Sequence, residues 1–352
     1  MASSRSASAD LQAVDVLLRS GGLAPGRRLL RGEGMKRRGE RNQPVELPPQ
    51  KPRRVVKSQI EIVRAAGWQE IPWLVHGFST RTGGATHAYR PEQRAAELNL
   101  GFTQSDAREN VLENRRRFLE ALGAPEARLV TLRQIHSSLV RRVKRADAER
   151  VPAWKGDGMM TDEPGALLAI QTADCIPVLV ADTKRRAVAA FHAGWRGTLK
   201  RIVEAGVNRM RLEFGSRPEN LVAAIGPGIG VCCYAVGEEV RSEFSSQFAY
   251  ASDLFHEVSD SDPVRERYPL LFLTARAPGH SNLGPSLHLD LMEANRRQLL
   301  DAGLRADAIT VTGDCTRCQN NRYFSYRAEQ GFTGRMLSVV GRRDRASQGG
   351  RR

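Results

Sequence analysis

Two histidines and one cysteine carry the strongest chemical signal in this chain of 352 residues. They are His136 in Q-I-H-S, Cys175 in A-D-C-I-P and His192 in H-A-G-W-R-G. Two imidazoles and a thiolate suit Zn²⁺ or copper, and three protein ligands leave a position open for water or substrate. The ligands lie 39 and 17 residues apart, which excludes a local zinc-finger loop. The alternative is that the histidines are hydrogen-bonded structural residues and the cysteine is an inert core residue.

Two glycine-rich turns, each with an arginine, predict an anion pocket beside these ligands. The second histidine phrase places Arg196 between Gly194 and Gly197, and an amphipathic helix follows. The positive end of that helix and its free N–H groups favour an anion. Arg81 stands beside a second, diglycine turn, and a guanidinium fork suits phosphate. The alternative is that the glycines form tight turns and the arginines are solvated.

The four remaining cysteines do not form a recognisable metal motif. Cys315 and Cys318 make a C-x-x-C, but the chain has no second such pair for a four-cysteine site. We expect incidental turn cysteines here, with redox or metal use as the alternative. Cys232 and Cys233 open a predicted helix and are expected in the core. Because no secretory signal precedes the odd total of five, the thiols are expected to be reduced.

Two aspartates stand close to the candidate ligands in the sequence. Asp157 lies in G-D-G-M-M, and Asp174 directly precedes the candidate cysteine ligand. A carboxylate can orient a ligand imidazole by accepting a hydrogen bond from its second nitrogen. Both aspartates could equally cap turns, and the sequence does not decide between these roles.

Strands that alternate with helices predict an α/β protein with mixed sheets. Each candidate ligand falls where a strand ends or meets a turn, a position that holds a side chain rigidly. The predicted strands are 73–79, 129–136, 166–172, 176–181, 187–191, 221–225 and 308–312. The predicted helices are 106–122 with Asp106 as N-cap, 199–214, 237–248 and 289–300. Residues 253–284 are predicted to be a long irregular excursion.

Charge separates a basic leader from the rest of the chain. Residues 1–58 hold 13 Lys and Arg against 5 Asp and Glu, and therefore carry +8 of the net charge of +15. Because no aromatic residue interleaves these charges, a solvated, disordered leader over 1–56 is favoured over a nucleic-acid-binding arm. We expect a single catalytic domain over 57–342 and a disordered tail over 343–352.

The apolar runs of the sequence are too short for a membrane span of about 20 residues, so no membrane partner is expected. The leader lacks the apolar core of a secretory signal, and the cytoplasm is the expected compartment. An organelle is the alternative if the leader is a transit peptide, and Met35 could serve as a second start. Monomer and homodimer both stay open.

Nine motifs occur in order between about residues 70 and 340, and together they resemble the YfiH family. This family is also called the laccase-domain or multicopper polyphenol oxidoreductase family. The chain departs from the family pattern at 328–331, where A-E-Q-G replaces the usual R-D-G, and in the length of 253–284. The motifs are G-F-S-T-R-T-G-G, E-L-N-L-G, E-N-R-R-R-F-L, Q-I-H-S, G-D-G-M-M-T-D, A-D-C-I-P-V, H-A-G-W-R-G-T, A-I-G-P-G-I-G and F-S-Y-R-A-E-Q-G-F-T-G-R-M.

The resemblance implies a four-layer α/β/β/α single domain with mixed sheets. It implies zinc held by His136, Cys175 and His192. It also implies purine nucleoside phosphorylase activity, in which phosphate attacks the anomeric carbon of adenosine, inosine, guanosine or methylthioadenosine. Adenosine deamination is a companion activity of the family, and a bacterial branch is linked to editing of peptidoglycan precursors.

These observations lead to a set of predicted site residues. Cys175, His192 and Arg196 are the predicted catalytic residues. Arg81, Arg196 and Arg327 are the predicted substrate and phosphate ligands. Zinc is the expected cofactor with copper as the alternative, and purine nucleosides and phosphate are the expected partners, with no nucleic acid. The preferred nucleoside and the role of zinc stay open.

Three other functions compete with phosphorolysis. Copper could oxidise phenols at a His₂Cys site, although a multicopper centre needs more histidines than the seven present. Cys175 could act as the nucleophile of a hydrolase, with His192 or His136 as its base. The basic leader could make the chain an RNA-associated module, which predicts a steep loss of binding with added salt.

Overall fold

The structure is a computed structural model, and it describes residues 59–93, 95–147, 153–258 and 286–343. The predicted leader lies outside the described residues. Most of the predicted 253–284 excursion and of the 343–352 tail lies outside them as well.

The first sheet joins strands from both ends of the described chain. Its neighbours pair antiparallel, except for the last two strands of the order below, which pair in parallel. In spatial order the strands are β1 (Ile62–Val63), β2 (Leu74–Ser79), β14 (Met336–Arg342), β7 (Ala166–Thr172) and β4 (Arg128–Val130).

The second sheet has six strands, antiparallel in its interior and parallel at both edges. In spatial order they are β13 (Ile309–Val311), β10 (Leu221–Ile225), β8 (Ile176–Asp182), β9 (Val188–Ala193), β6 (Gly158–Thr161) and β5 (Val140–Arg142). A separate antiparallel pair is formed by β11 (Phe255–Val258) and β12 (Ser286–Leu289), and β3 (Thr82–Thr86) follows β2.

The helices lie between these strands in the sequence. They are α1 (Arg108–Ala121), α2 (Trp195–Leu199), α3 (Ile202–Phe214), α4 (Glu238–Gln247) and α5 (Leu291–Asp301). Within the described part of the chain, no helix has the length and apolar character that crossing a membrane requires.

The two sheets pack face to face through alternate residues of their central strands. Leu168 and Ile170 of β7 share a buried cluster with Leu179 of β8 and Ala190 of β9. Because successive side chains of a strand point to opposite faces, the intervening residues must be covered from outside. Each sheet therefore needs a helical layer on its outer face.

Helices supply these two outer layers. Leu167 of β7 is buried with Phe118 of α1 on the first sheet. On the second sheet, Val178 of β8 is buried with Val203 and Val207 of α3. The order of layers is α/β/β/α, which confirms the predicted mixed α/β fold. Coverage on both faces explains why β7 and β8 read as continuous apolar runs.

The structure differs from the predicted elements at three places. The first residue of α1 follows Ala107, which takes the N-cap position instead of Asp106. The predicted helix 199–214 begins only at Ile202, because Arg201 before it adopts a left-handed φ of 54°, and Leu199 ends the separate helix α2. The predicted strand 129–136 ends at Val130. His136 has a φ of 56°, which a strand cannot accommodate.

Candidate metal and substrate site

His136, Cys175 and His192 come together where the chain passes from one sheet to the other. Their side-chain nitrogen and sulfur atoms all lie within 4.8 Å of one another. The two imidazole rings are 4.9 Å apart between centroids, at 71°. His192 lies on β9, Cys175 lies between β7 and β8, and His136 lies in the loop between β4 and β5. This donor set fits a metal ion such as zinc or copper and leaves a coordination position open.

Asp174 fixes the turn that presents Cys175. Only three residues connect β7 of the first sheet to β8 of the second, and Asp174 among them has a φ of 92°. Its Oδ1 accepts hydrogen bonds from Thr316 Oγ1 at 2.6 Å and Ser325 Oγ at 2.7 Å. Its Oδ2 accepts from the backbone N–H of Arg327 at 2.7 Å. Asp174 therefore stabilises a strained turn and does not orient an imidazole.

Asp157 is fully buried and shapes both histidine positions. Its Oδ1 lies 2.9 Å from His192 Nδ1, which leaves Nε2 of that ring for the ligand position. Its two oxygens also accept from the backbone N–H groups of Ile135 at 3.1 Å, His136 at 3.0 Å and Ser137 at 2.6 Å. These bonds replace a strand ladder and impose the left-handed conformation of His136. Burial alone would raise the pKa of Asp157, but its hydrogen bonds from His192 and Ser137 lower the pKa to about 2.

The thiol of Cys175 and the imidazole of His192 stabilise each other's charged forms. Burial disfavours the thiolate, but the charge of His192 and a hydrogen bond from His136 lower the pKa of Cys175 to about 6. Burial likewise disfavours the imidazolium, but Cys175 and Asp157 raise the pKa of His192 to about 9. In the metal-free protein a thiolate therefore exists at neutral pH, and the thiolate is the form that binds a metal.

Gly194 allows the ligands to approach the start of α2. A Cβ at this position would lie 2.9 Å from Cys175 Sγ and 3.3 Å from His136 Cδ2. Any side chain would therefore displace the candidate ligands. The glycine of the H-A-G phrase serves close approach of the backbone, rather than a positive φ, since its φ is −68°.

A cavity of about 590 Å³ opens onto the three candidate ligands. This volume lies in the range of small-molecule sites, and the walls combine apolar, aromatic and polar groups. The aromatic, amide and guanidinium side chains in the walls are those of Trp195, Tyr234, Tyr326, Gln134, Gln171, Arg133, Arg327 and Arg335.

The structure places two of the three predicted substrate arginines at or near this cavity. Arg327 lines it, and its Nη1 donates to the carbonyl of Ala235 at 3.0 Å. The guanidinium of Arg327 also lies 5.1 Å from the ring centroid of Tyr234. Arg196 is exposed and stacks over the ring of Trp195 at 4.5 Å, so it supports the wall from outside.

The prediction that Arg81 binds phosphate is wrong, because this side chain is 2 % exposed and its donors are occupied. Its Nε donates to Glu97 at 2.9 Å, and its Nη1 donates to Glu329 at 3.0 Å and to the carbonyl of Asn320 at 2.7 Å. Its guanidinium also lies 4.4 Å from the ring centroid of Phe324. Glu329 belongs to the A-E-Q-G segment that departs from the family pattern, and this departure supplies a partner for Arg81.

Several residues of the cavity wall escaped the sequence analysis. The side chain of Gln134 binds the backbone of Gln171, with Gln134 Nε2 donating to the carbonyl of Gln171 and the N–H of Gln171 donating to Gln134 Oε1, each at 2.8 Å. A glutamine at the end of the apolar run 166–170 was the available signal for this pair. For Arg133, Arg335 and Tyr234, nothing in the sequence separates them from other residues of their type.

The other four cysteines also form a cluster. The Sγ atoms of Cys232, Cys233, Cys315 and Cys318 all lie within 4.8 Å of one another. The prediction of unrelated turn and core cysteines is therefore wrong. Cys232 and Cys318 are exposed, and Cys233 is half-buried.

Comparison with known proteins agrees with the fold and the motifs. Residues 75–343 match the family described as multi-copper polyphenol oxidoreductase laccase. Purine nucleoside phosphorylase YlmD of Geobacillus stearothermophilus is 35% identical over 285 residues, which cover 77% of this chain and 95% of that protein. Purine nucleoside phosphorylase of Deinococcus radiodurans is 36% identical over 275 residues, which cover 78% of this chain and 92% of that protein.

The crystal structure of the hypothetical protein YfiH of Bacillus licheniformis matches with a TM-score of 0.65 at 29% identity, over 82% of this chain and 98% of that one. The chain therefore belongs to the multi-copper polyphenol oxidoreductase laccase family, the family of the YfiH and YlmD proteins.

Proposed function

We propose that this chain is a zinc-dependent purine nucleoside phosphorylase. It cleaves the glycosidic bond of a purine nucleoside with inorganic phosphate and releases the free base and ribose 1-phosphate. The observation that carries the proposal is the cavity in which His136, Cys175 and His192 face aromatic and arginine side chains. The names of the Geobacillus and Deinococcus relatives support the same reaction.

The aromatic walls suit the purine base. Tyr234 is buried at the cavity, whereas Tyr326 is 53% exposed at its mouth and can close over a flat ring. Aromatic side chains stack on rings with little dependence on the substituents of the ring. The proposed substrates are accordingly adenosine, inosine, guanosine and methylthioadenosine.

The arginines of the wall suit the phosphate nucleophile. Arg133, Arg327 and Arg335 line the cavity and take the role first predicted for Arg81. Their positive charges would hold the phosphate against the anomeric carbon, where an oxocarbenium-like transition state develops. Arg196 contributes by positioning the ring of Trp195 on which it stacks.

His136, Cys175 and His192 would hold the zinc ion. When bound, zinc supplies Lewis-acid polarisation of a substrate oxygen or activation of a water. Asp157 keeps the proton of His192 on Nδ1, so that the ring presents Nε2 to the ligand position. The low pKa of Cys175 provides a thiolate ligand at neutral pH.

Deamination of adenosine to inosine is the second proposed reaction. A three-ligand set leaves room for the water that hydrolytic deamination consumes. The thiolate–imidazolium pair of Cys175 and His192 would also serve a metal-independent hydrolase. Sensitivity to a chelator separates these two chemistries.

Phosphorolysis fits the available metal ligands better than copper-dependent oxidation of phenols does. Within the described part of the chain, the groups that could hold a metal are the His₂Cys set and the four cysteines. Neither offers the additional imidazoles that a cluster of several copper ions needs.

The test incubates the purified full-length chain with inosine, with and without phosphate, and separates the products by chromatography. We expect hypoxanthine and ribose 1-phosphate only when phosphate is present, and no product from a folded His136→Ala control. A parallel incubation with adenosine tests for inosine. Removal of zinc by a chelator should abolish both reactions, and added zinc should restore them.

Three results would contradict the proposal. Absence of product above the His136→Ala control excludes phosphorolysis. Base release without phosphate indicates a nucleoside hydrolase. Activity that survives complete removal of metal favours the Cys175 hydrolase.

A further inference from the structure

The four-cysteine cluster lies between two loops that follow neighbouring strands. Cys232 and Cys233 lie in the loop after β10, and Cys315 and Cys318 lie in the loop after β13. These two strands are adjacent and parallel, so their carboxyl ends meet at the same edge of the sheet. Topology therefore brings together two cysteine pairs that are more than 80 residues apart in the sequence.

The sulfur atoms have the spacing of a tetrahedral metal site. Cys318 Sγ lies 3.4 Å from Cys232 Sγ and 3.4 Å from Cys233 Sγ, and all four sulfurs lie within 4.8 Å of one another. Four thiolates at about 2.3 Å from a zinc ion are about 3.8 Å apart. A disulfide needs two sulfurs at about 2.05 Å, which pairs them off rather than spacing four evenly.

The backbone holds the two loops together independently of the thiols. Gly228 bridges to Cys315 in parallel, and the N–H of Thr316 donates to the carbonyl of Gly228 at 2.9 Å. The N–H of Gly230 points at Cys315 Sγ at 3.3 Å, a bond that favours the thiolate form of a metal ligand. The site is thus preorganised before any ion binds.

We propose that Cys232, Cys233, Cys315 and Cys318 bind a second zinc ion in a structural, four-thiolate site. Four protein ligands fill the tetrahedral coordination of zinc and leave no position for substrate, unlike the His₂Cys set. The ion would clip the two loops at the surface of the protein.

This clip would support the wall of the substrate cavity. Tyr234 lies next to the first cysteine pair in the sequence and lines the cavity. On the second loop, Thr316 donates to Asp174, the residue that fixes the turn of Cys175. The proposal rests on the cysteine geometry alone and does not depend on which reaction the cavity performs.

The experiment counts zinc per chain in the full-length protein, purified under reducing conditions, by elemental analysis. We expect two zinc ions in the wild type, one in Cys318→Ser and one in His136→Ala. Arg317→Ala is the matched control, because Arg317 stands between the two cysteines of the second loop, is exposed and should keep both ions. Substitution of zinc by cobalt(II) should add the intense sulfur-to-metal charge-transfer bands of a tetrathiolate site to the wild type and to His136→Ala.

The cobalt spectrum of the wild type tests the proposal even if Cys318→Ser fails to fold. A tetrathiolate spectrum in His136→Ala supports the second site, and its absence overturns it. Intact mass two or four units below that of the reduced chain would show disulfides and overturn it, as would iron in place of zinc. Absence of phosphorolysis in a wild type that shows the tetrathiolate spectrum would instead contradict only the proposed enzyme function.

Discussion

The two sulfur-containing clusters differ in what surrounds them rather than in how closely their atoms meet. Both bring all their candidate ligand atoms within 4.8 Å of one another. Cys175 stands between two imidazoles at the end of a cavity, beside a buried carboxylate. The four other cysteines face one another near the surface, and the N–H of Gly230 donates to one of their sulfurs.

The comparison shows how one protein can use cysteine sulfur both at a reactive site and at a structural site. Histidines stabilise the thiolate of Cys175, an aspartate stabilises the imidazolium of His192, and a three-ligand set leaves a coordination position open for chemistry. In the four-cysteine cluster, burial and the hydrogen bond with the neighbouring thiol of Cys318 raise the pKa of Cys232 and of Cys233. A metal ion there would neutralise the ligands and restrain two loops, without access for a substrate.

The largest expected contrast is in thiol reactivity of the metal-free protein. The charges of the histidines lower the pKa of Cys175 to about 6, whereas burial and the neighbouring thiols raise the pKa of Cys233 to about 11. Because the thiolate is the nucleophile, and its intrinsic reactivity falls with its pKa, iodoacetamide should modify Cys175 about 100-fold faster at pH 7. Peptide mass spectrometry over a series of pH values measures both rates, and that of Cys175 should reach half its maximum near pH 6.

The contrast in reactivity has its own control. Replacing His192 with glutamine removes the charge beside Cys175 and should move its half-maximal rate to higher pH, with Cys233 unchanged. Equal rates for the two cysteines at pH 7 would remove the electrostatic distinction between the clusters.

The next effect separates the two aspartates near the first cluster. Asp157→Asn removes the charged partner of His192, and we expect zinc affinity at the His₂Cys site to fall by about 10- to 100-fold. Asp174→Asn does not change a hydrogen bond to either imidazole, but it can place an amide NH₂ group against the backbone N–H of Arg327. It should therefore mainly lower the free energy of unfolding. Competition with a chromophoric chelator measures the affinity, and urea denaturation measures the stability.

The two aspartate variants distinguish the orientation of His192 from the turn of Cys175 as the factor that limits metal binding. A similar loss of zinc affinity in both would mean that the turn of Cys175, rather than the orientation of His192, limits metal binding. An unchanged zinc affinity in Asp157→Asn would show that the Asp157 carboxylate does not contribute to metal binding.

The smallest expected effect concerns the arginines. Arg327 lines the cavity and Arg317 lies in the cysteine loop, and both are exposed. Arg327→Ala should raise the KM for phosphate by about fivefold, the effect of losing one partly solvated charge on an anion. Arg317→Ala should leave the KM for phosphate unchanged. Steady-state kinetics at saturating inosine measures both KM values. An equal effect of the two variants would indicate that the net positive charge of the protein, rather than a contact between Arg327 and phosphate, sets the KM.

Local sequence was sufficient where a single element decides the structure. The predicted strands 166–172 and 221–225 match Ala166–Thr172 and Leu221–Ile225 residue for residue. An apolar run that is buried on both faces of a sheet has few alternatives. The three candidate metal ligands were also found from the sequence, because each stands in a distinctive phrase.

Features that depend on distant partners were not predictable in this way. The left-handed conformation of His136 is imposed by Asp157, which follows it by 21 residues. Arg81 and Arg327 look alike in the sequence, but of the two only Arg81 forms an ion pair with a buried carboxylate, that of Glu97. The cysteine cluster depends on β10 and β13 being neighbours, and the spacing of the cysteines carries no information about that topology.

The three-residue connection between β7 and β8 determines when the first cluster can form. It joins the two sheets, and Asp174 within it is held by Thr316 and Ser325, so the turn of Cys175 is complete only when residues far away in the sequence have packed against it. Strands of the first sheet come from opposite ends of the described chain, so this packing depends on contacts of long sequence separation, which are slow to form. We therefore expect the His₂Cys set to bind metal only in a chain whose distant segments have packed correctly, so that metal content reports on correct folding.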